Sequence, residues 1–323
     1  MAFYVFGCKE VRIMSYTEYT VLSSNTKTNL HTVLWKPSGT VKAVVQIVHG
    51  IAEHALRYAD FAHFLNEQGF AVLAHDHIGH GGSQNAENIP VYFGTGNSWA
   101  TATDDIGVVA KSIPSDLENI PLFLLGHSMG SFLVRSFLIR YPMSKRAGAI
   151  IMGTGWQNPA KLRGGLFIAR ILAKKGAHRV STFANKLAFG SYNKPFAPNR
   201  TAFDWLSADT DNVDAYIADP LCGQAATVGI FREMLSGIAY NQSKKNISHI
   251  NKNLPILLIS GNSDPVGDMG KGVKKTFAHF KKAGVKDCTI TLYPHLRHEI
   301  LNEKQERTTV FNDILNWLET RLH

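Results

Sequence analysis

The chain contains little cysteine: three in 323 residues, far apart at Cys8, Cys222 and Cys288. An odd number of widely spaced cysteines gives neither a disulfide framework nor a paired Cys-x-x-Cys metal motif. This usage favours a reducing compartment. We therefore expect a cytoplasmic location, with peripheral contact at a membrane surface as a compatible variant.

Long apolar runs are also missing, and no segment approaches the about 20 residues of a membrane-spanning helix. The N-terminus is apolar but short and has no basic stretch before it, so it makes a poor signal peptide. We interpret residues 1–13 as a peripheral extension, and Met14 is an alternative natural start.

The sequence has no dense block of lysine and arginine and no alternation of aromatic with basic residues, although its net charge is +9. We therefore do not expect a nucleic-acid partner. A composition of 45% hydrophobic and 18% charged residues is typical of a globular chain. This length is sufficient for one large core and an accessory element, and it leaves the oligomeric state open.

Apolar strand-like segments alternate with helix-like segments through most of the chain. The strand-like segments cover residues 17–23, 30–35, 43–48, 70–74, 121–125, 147–152, 255–260 and 288–293. The helix-like segments cover residues 57–67, 100–112, 131–140, 269–282 and 303–322. Continuous apolar strands separated by helices predict an α/β fold, with a mostly parallel sheet covered on both faces.

This alternation stops between Gly155 and Asn253, where the chain is helical and rich in aromatic residues. Because the segment follows the sixth strand and precedes another, we predict that it is a helical insertion. The predicted cap comprises residues 157–252. It separates a first part of the core, residues 1–156, from a second part, residues 253–323.

The first part of the cap mixes basic and apolar residues at the spacing of an amphipathic helix pair. Its basic residues are Lys161, Arg163, Arg170, Lys174, Lys175, Arg179 and Lys186. One interpretation is a solvated outer face above an ordinary apolar inner face. The other is contact with an anionic membrane or lipid aggregate.

The pentapeptide Gly126-His127-Ser128-Met129-Gly130 has the pattern G-x-S-x-G and lies between a short apolar strand and a helix. Strand, sharp turn and helix form the context of a nucleophile elbow. The glycines allow the backbone to close around Ser128. A serine hydroxyl is a weak nucleophile at neutral pH, so it needs a base, an acid that orients the base, and donors for an oxyanion.

Candidates for the acid and the base follow in the order acid, then histidine. Asp264 comes directly after a buried strand, at the edge of the sheet where sites form. Asp268 is the rival, but its position is more typical of a cap on the next helix. Two histidines follow the last strand, and we favour His298 as the base because His295 lies closer to the strand end.

The oxyanion donors are expected from two backbone N–H groups. One belongs to Met129, the residue after the serine, and the other to Ile51 in the loop after the third strand. Gly50 allows this loop to turn toward the site. We expect His49 and His54 to hydrogen-bond the loop into shape rather than to react.

A second loop, residues 75–83, carries three histidines around Asp76. These residues could suggest a metal site, but we favour a glycine-rich turn in which Asp76 accepts hydrogen bonds from backbone N–H groups. The chain has no H-E-x-x-H motif, and its other histidines are scattered. We therefore predict no metal ligands and no cofactor.

Taken together, the motifs resemble the monoacylglycerol lipase and lysophospholipase branch of the α/β-hydrolases, which is grouped with the serine aminopeptidase-like hydrolases. The resemblance covers residues 17–155 and 254–320. It is carried by His49-Gly50-x-x-Glu53-His54, His75-Asp76-His77-x-Gly79-His80-Gly81, the pentapeptide at 126–130, and Asp264 with His298-Glu299. Ile78 stands where bacterial relatives often have arginine.

The resemblance implies a serine hydrolase that cleaves carboxylic esters of single-acyl lipids with Ser128, Asp264 and His298. It also implies a small acyl ester or lipid as the partner molecule. A serine aminopeptidase is the alternative, because the cap holds carboxylates that could bind an amino group. These are Asp204, Asp209, Asp211, Asp214 and Glu233. A lipid carrier without activity, a cofactor-free haloperoxidase and a C–C bond hydrolase remain further options on such a scaffold.

Overall fold

The computed structural model describes residues 16–85 and 87–322 of the chain. The predicted extension at residues 1–13 and the alternative start at Met14 lie outside these ranges. Eight strands of the described chain form one sheet. They are β1 (Tyr16–Leu22), β2 (Asn29–Trp35), β3 (Ala43–Val48), β4 (Phe70–His75), β5 (Leu122–His127), β6 (Gly148–Met152), β7 (Ile256–Gly261) and β8 (Cys288–Tyr293).

The strand order across the sheet is β1-β2-β4-β3-β5-β6-β7-β8. The first two strands pair antiparallel, and β2 is also antiparallel to β4. All neighbours from β4 to β8 are parallel. The carboxyl ends of these parallel strands therefore share one edge, where side chains from distant parts of the sequence meet. The predicted α/β class with a mostly parallel sheet is confirmed.

Ten α-helices accompany the sheet in the described residues. They are α1 (Ala59–Glu67), α2 (Ser98–Ala110), α3 (Met129–Arg140), α4 (Pro159–Ala173), α5 (Thr182–Phe189), α6 (Thr210–Ala218), α7 (Val228–Asn241), α8 (Lys244–Ile247), α9 (Lys271–Lys282) and α10 (Arg307–Glu319). Short 3₁₀ helices cover Ala55–Tyr58, Ser115–Leu117 and Lys194–Phe196.

Burial on both faces explains why the central strands are apolar throughout. Every residue of β3 and of β5 is buried. In β3, Val44 and Val48 pack into one core with α2, α3 and α9. Val45 and Ile47 point the other way and pack into a second core with α1 and α10. A strand between two helical layers needs apolar side chains on both faces.

Helices α4 to α8 follow β6 and precede β7 in the chain, and the described residues between these strands add no strand to the sheet. We keep the term cap for residues 157–252, whose limits as a domain stay a prediction. Within the described ranges, each helix is too short or too polar to cross a membrane.

One prediction at the start of α9 is wrong. The helix begins at Lys271, its N-cap residue is Gly270, and no side chain caps it. Asp268 and Met269 have φ values of 50° and 52°, so the chain makes an extra turn in the left-handed region before the helix begins. Asp268 therefore lies two residues before the N-cap position of α9 and cannot cap this helix. It lines a cavity instead.

Candidate active site

Ser128 occupies a sharp turn between β5 and α3. Its φ and ψ are 53° and −119°, a conformation that L-residues rarely adopt. Such a turn requires close backbone contacts: a Cβ at Gly130 would lie 1.9 Å from the Val48 carbonyl oxygen, and one at Gly126 would lie 2.5 Å from the Gly130 carbonyl oxygen. The two glycines of the motif thus allow the strand and helix to meet tightly at the serine.

Asp264 and His298 form a buried pair. Asp264 follows β7 and is fully buried, and its Oδ2 lies 3.0 Å from Nδ1 of His298. The carboxylate also accepts hydrogen bonds from the Ser260 hydroxyl at 3.1 Å and from the Val266 N–H at 2.8 Å. A carboxylate only accepts, so the His298 proton is on Nδ1 and leaves Nε2 available as a base.

The serine and the histidine approach the same point at the end of β6. The Ser128 N–H donates to the Met152 carbonyl at 3.0 Å. A Cβ at the next residue, Gly153, would come within 3.1 Å of Cε1 of His298. His295, in contrast, is exposed, and its N–H bonds to Asn262 instead. The fold therefore pairs Asp264 with His298 and places the His298 ring 4.7 Å from the ring of His127, the residue before Ser128, and it leaves His295 at the surface.

The loop after β3 passes directly beside the serine. A Cβ at Gly50 would lie 3.1 Å from Cβ of Ser128. His49 Nε2 accepts from the His77 N–H at 3.0 Å, so its Nδ1 carries the proton and donates to the Gly50 carbonyl at 2.7 Å. In a trans peptide the carbonyl and the next N–H point in opposite directions. Fixing the Gly50 carbonyl therefore fixes the direction of the Ile51 N–H.

Ile51 and Met129 both line the cavity above Ser128. Met129 is the first residue of α3, where N–H groups have no partner within the helix. The positive end of the helix dipole adds to the attraction of this position for a negative charge.

Glu53 connects the loop to the residue before the serine. Its Oε1 accepts from the Gly50 N–H at 2.5 Å and from the Tyr58 hydroxyl at 2.9 Å, and lies 3.1 Å from Nδ1 of His127. Burial opposes its charge, but the hydrogen bond and charge of His127 and the charge of Arg57 hold the pKa of Glu53 well below its ordinary value. Burial likewise opposes a charge on His127, yet Glu53 raises the pKa of that imidazole.

Arg57 extends this network to the residue after the candidate base. Its guanidinium donates to Glu53 at 2.8 Å and makes a bidentate pair with Glu299 at 2.7 Å. The Asn212 amide of α6 also donates to Glu299, at 2.8 Å. His127 connects Glu53 to the histidine loop as well, because its Nε2 lies 3.3 Å from the His298 carbonyl oxygen. One buried network thus spans the oxyanion loop, the elbow and the histidine loop.

The cap also holds the histidine loop in place. The Leu206 carbonyl accepts from the N–H groups of both His298, at 3.0 Å, and Glu299, at 2.8 Å. The ring of Trp205 lies 5.1 Å from the His298 ring. Movement of this cap segment would therefore change the position of the His298 backbone and ring directly.

The second histidine-containing loop is a turn held by Asp76. Its carboxylate accepts from the N–H groups of Ala55 at 2.7 Å and Gly82 at 2.8 Å, and pairs with His31 at 2.8 Å. Burial lowers the pKa of His75 and of His80 to about 3. Among the described residues, the ligand atoms of this loop's histidines do not converge as they would on a metal ion.

A cavity of about 780 Å³ opens above the serine, a size typical of small-molecule sites. The cap helices α4, α5 and α7 form most of its wall, and the lining is mainly apolar. Its polar side chains include Gln157, Asn158, Lys161 and Asp268. The space therefore suits a molecule with a long apolar part and a small polar part.

Sequence reasoning missed several residues of this site, chiefly Arg57, Tyr58, Asn212 and the Leu206 carbonyl. The only local signal was the i, i+4 spacing of Glu53 and Arg57, which allows an ion pair on one helical turn. The other partners of Arg57 come from α6 and from the loop after β8, so no short motif contains them.

Comparison with known proteins gives consistent results. The chain is 28% identical over 294 residues to the monoglyceride lipase of Mus musculus, covering 89% of this chain and 86% of that protein. It is 25% identical over 292 residues to the monoacylglycerol lipase of Mycolicibacterium smegmatis, covering 90% and 92%.

Among solved structures, a thermostable carboxyl esterase from Bacillus coagulans in complex with glycerol superimposes with a TM-score of 0.88 at 26% identity, covering 96% of this chain and all of that one. The family model described as serine aminopeptidase, S33, matches residues 39–305. The α/β-hydrolase fold and a match over most of the chain lead to one assignment: this protein belongs to the serine aminopeptidase S33 family.

Proposed function

We propose that this protein hydrolyses carboxylic esters of single-acyl lipids, such as monoacylglycerols or lysophospholipids, through an acyl-enzyme on Ser128. The observation that carries the proposal is that Ser128 lines a mainly apolar cavity and directly follows His127, whose ring lies 4.7 Å from that of His298, the partner of the buried Asp264. The lipase and esterase relatives support ester hydrolysis as the reaction.

In the proposed mechanism, Nε2 of His298 takes the Ser128 proton as the hydroxyl oxygen attacks the acyl carbonyl. Asp264 keeps the Nδ1 proton in place and stabilises the imidazolium that forms. When the tetrahedral intermediate collapses, His298 gives its proton to the leaving alcohol. A water molecule, activated by the same nitrogen, then attacks the acyl-enzyme and releases the fatty acid.

The N–H groups of Ile51 and Met129 bind the oxyanion in both tetrahedral steps. Each donor of this kind lowers the barrier by roughly 3 kcal/mol. Their direction is set by other residues, which we assign to support rather than to chemistry. These are His49, Gly50, Glu53, His54, Asp76, Gly126, His127 and Gly130.

The cavity supports a lipid substrate. Two neighbouring glycines of α4, Gly164 and Gly165, line it. A Cβ at Gly164 would meet no atom within 4 Å, whereas one at Gly165 would lie 3.4 Å from the Leu235 side chain. Each glycine lowers the stability of a helix by about 1 kcal/mol relative to alanine. Two glycines at this position are therefore consistent with a requirement for space in the cavity. An acyl chain would occupy the apolar part, and the polar head would contact Gln157, Asn158 or Asp268.

The aminopeptidase alternative receives less support. The five cap carboxylates that the sequence offered are engaged elsewhere: Asp211 pairs with Lys304, for example, and Asp214 with Arg200. None of these five described residues lines the cavity. Asp268 does line it, so a substrate amine would have one carboxylate to bind.

A substrate panel tests the proposal. We expect kcat/KM for monoacylglycerols or lysophospholipids to exceed that for aminoacyl arylamides and acyl thioesters, because the cavity offers a long apolar surface. The S128A variant supplies the background for each substrate, and mass spectrometry would detect an acyl group on Ser128. Preference for arylamides would move the assignment to an aminopeptidase, and no turnover of any class together with tight lipid binding would indicate a carrier.

We also propose that the first part of the cap contacts anionic lipid surfaces. Apolar side chains there are exposed, with Phe167 at 66%, Phe183 at 60% and Leu187 at 55%. The seven basic residues of the predicted amphipathic helices are exposed beside them, and residues 158–203 contain no aspartate or glutamate. Exposed apolar residues with a basic surround are typical of interfacial helices.

We expect the double variant Phe167→Ser/Phe183→Ser to lose at least about tenfold in binding to anionic phosphatidylserine vesicles, since each buried phenylalanine contributes about 1.5–3 kcal/mol. Co-sedimentation measures this. Met143→Ser is the matched control, because Met143 is 90% exposed but lies outside the cap. Equal losses in both variants, or equal binding to neutral vesicles, would contradict the proposed surface.

A further inference from the structure

Three potential metal ligands from distant parts of the sequence meet beside the oxyanion loop. His54 lies at the end of that loop, whereas Asp219 and Cys222 belong to the turn after α6 in the cap. Nε2 of His54 is 2.7 Å from Oδ2 of Asp219. One ligand atom from each of the three residues lies within 4.8 Å of the other two.

The surroundings of this cluster suit an ion that enters from solvent. His54 and Cys222 are buried, while the Asp219 side chain is 29% exposed and gives access. Asp219 Oδ1 accepts from the Leu221 N–H at 2.8 Å, which holds the carboxylate in place. Burial raises the pKa of the Cys222 thiol, so the thiol keeps its proton until a cation displaces it.

We propose that His54, Asp219 and Cys222 form a binding site for a zinc-class divalent cation. Imidazole nitrogen, carboxylate oxygen and thiolate sulfur are the ligands that Zn²⁺ uses, at about 2.0–2.3 Å, with water in the fourth position. Binding releases the Cys222 proton to solvent. The thiolate and carboxylate then balance the two positive charges of the cation. The sequence predicted no metal ligands because these residues share no local motif.

The site would connect two parts of the proposed catalytic apparatus. The Ala52 carbonyl, next to the oxyanion donor Ile51, already accepts from the Gly223 N–H and the Tyr216 hydroxyl of the cap, each at 3.0 Å. A bound cation adds a stronger link between the same segments. If the proposed esterase function is correct, on which this consequence rests, zinc slows turnover by restraining the cap.

Cobalt titration of the full chain tests binding independently of hydrolysis. In the Cys8→Ala/Cys288→Ala background, Cys222 is the single thiol. We expect one Co²⁺ per chain with a thiolate-to-cobalt charge-transfer band in the near ultraviolet, and Zn²⁺ should displace it. Adding Cys222→Ser or Asp219→Asn should weaken binding more than about 100-fold, since residues that only orient a metal ligand already contribute about 10- to 100-fold.

Two results would overturn the site. The first is the absence of a thiolate band when thiol titration shows Cys222 to be reduced. The second is stabilisation of the fold by Zn²⁺ that persists unchanged in Cys222→Ser. The S128A protein should bind cobalt normally, so failure of the ester hydrolase proposal and failure of the metal site give different outcomes. Cys222→Ser without metal should hydrolyse esters at the unmodified rate and resist inhibition by zinc.

Discussion

Replacing Ser128 with alanine is expected to lower kcat for a short-chain p-nitrophenyl ester by at least about 10⁴-fold, because loss of a serine nucleophile removes the covalent route altogether. KM should change little, since the apolar wall formed by α4, α5 and α7 is untouched. Steady-state kinetics on the purified variant measures both constants. Labelling with a fluorophosphonate probe should disappear in the same variant.

Ser263→Ala is the matched control for this experiment. Ser263 lies one residue before Asp264, and its hydroxyl contacts Asn262 rather than the carboxylate. Its activity and labelling should equal those of the unmodified protein. Retained turnover in S128A, or probe labelling at another serine, would remove Ser128 from the mechanism.

Asp264→Asn is expected to lower kcat by about 10³- to 10⁴-fold while leaving the fold intact. An amide at this position can donate as well as accept, so the His298 proton can shift to Nε2 and the imidazole loses its role as a base. The asparagine carbonyl would still accept from the Val266 N–H, which bonds to Oδ1 of Asp264. The Ser260 hydroxyl, which bonds to Oδ2, can accept from the amide and donate to the Gly261 carbonyl at 3.2 Å. Urea unfolding should therefore give a similar midpoint to that of the unmodified protein.

Asp268→Asn separates the two candidate acids. Asp268 lines the cavity but has no contact with His298 among the hydrogen bonds of the described residues. Its turnover of a short-chain ester should remain close to that of the unmodified protein. A large loss in D268N together with retained activity in D264N would exchange the two assignments.

The strands were predictable because burial on two faces leaves an unmistakable apolar pattern. The segment 43–48 matches the fully buried β3 at both ends, and 288–293 matches β8, although most of that edge strand is only partly buried. The start of α9 was not predictable in the same way. Asp268 has the residue type of a helix cap, but the left-handed turn through Met269 and Gly270 depends on how that loop packs.

The candidate site likewise has a part that the sequence predicts and a part that depends on contacts between distant residues. Ser128 and Met129 follow from a local turn motif, and Asp264 and His298 follow from their places after strands. Their catalytic roles stay predictions until the variants are measured. The links from Arg57 to Glu299 could not be read from the chain, because the two residues are 242 positions apart.

Local order along the chain was enough to predict the α/β class and the elbow, since each depends on residues that are neighbours in the sequence. The positions of Asp264 and His298 after their own strands then gave the candidate acid and base. The shape of the cavity and the cluster at Cys222 arise only when the cap packs on the sheet, and the network around Glu53 arises when distant segments of the core meet. Contacts of this kind depend on the summed geometry of many distant residues, and no periodicity or motif encodes that geometry.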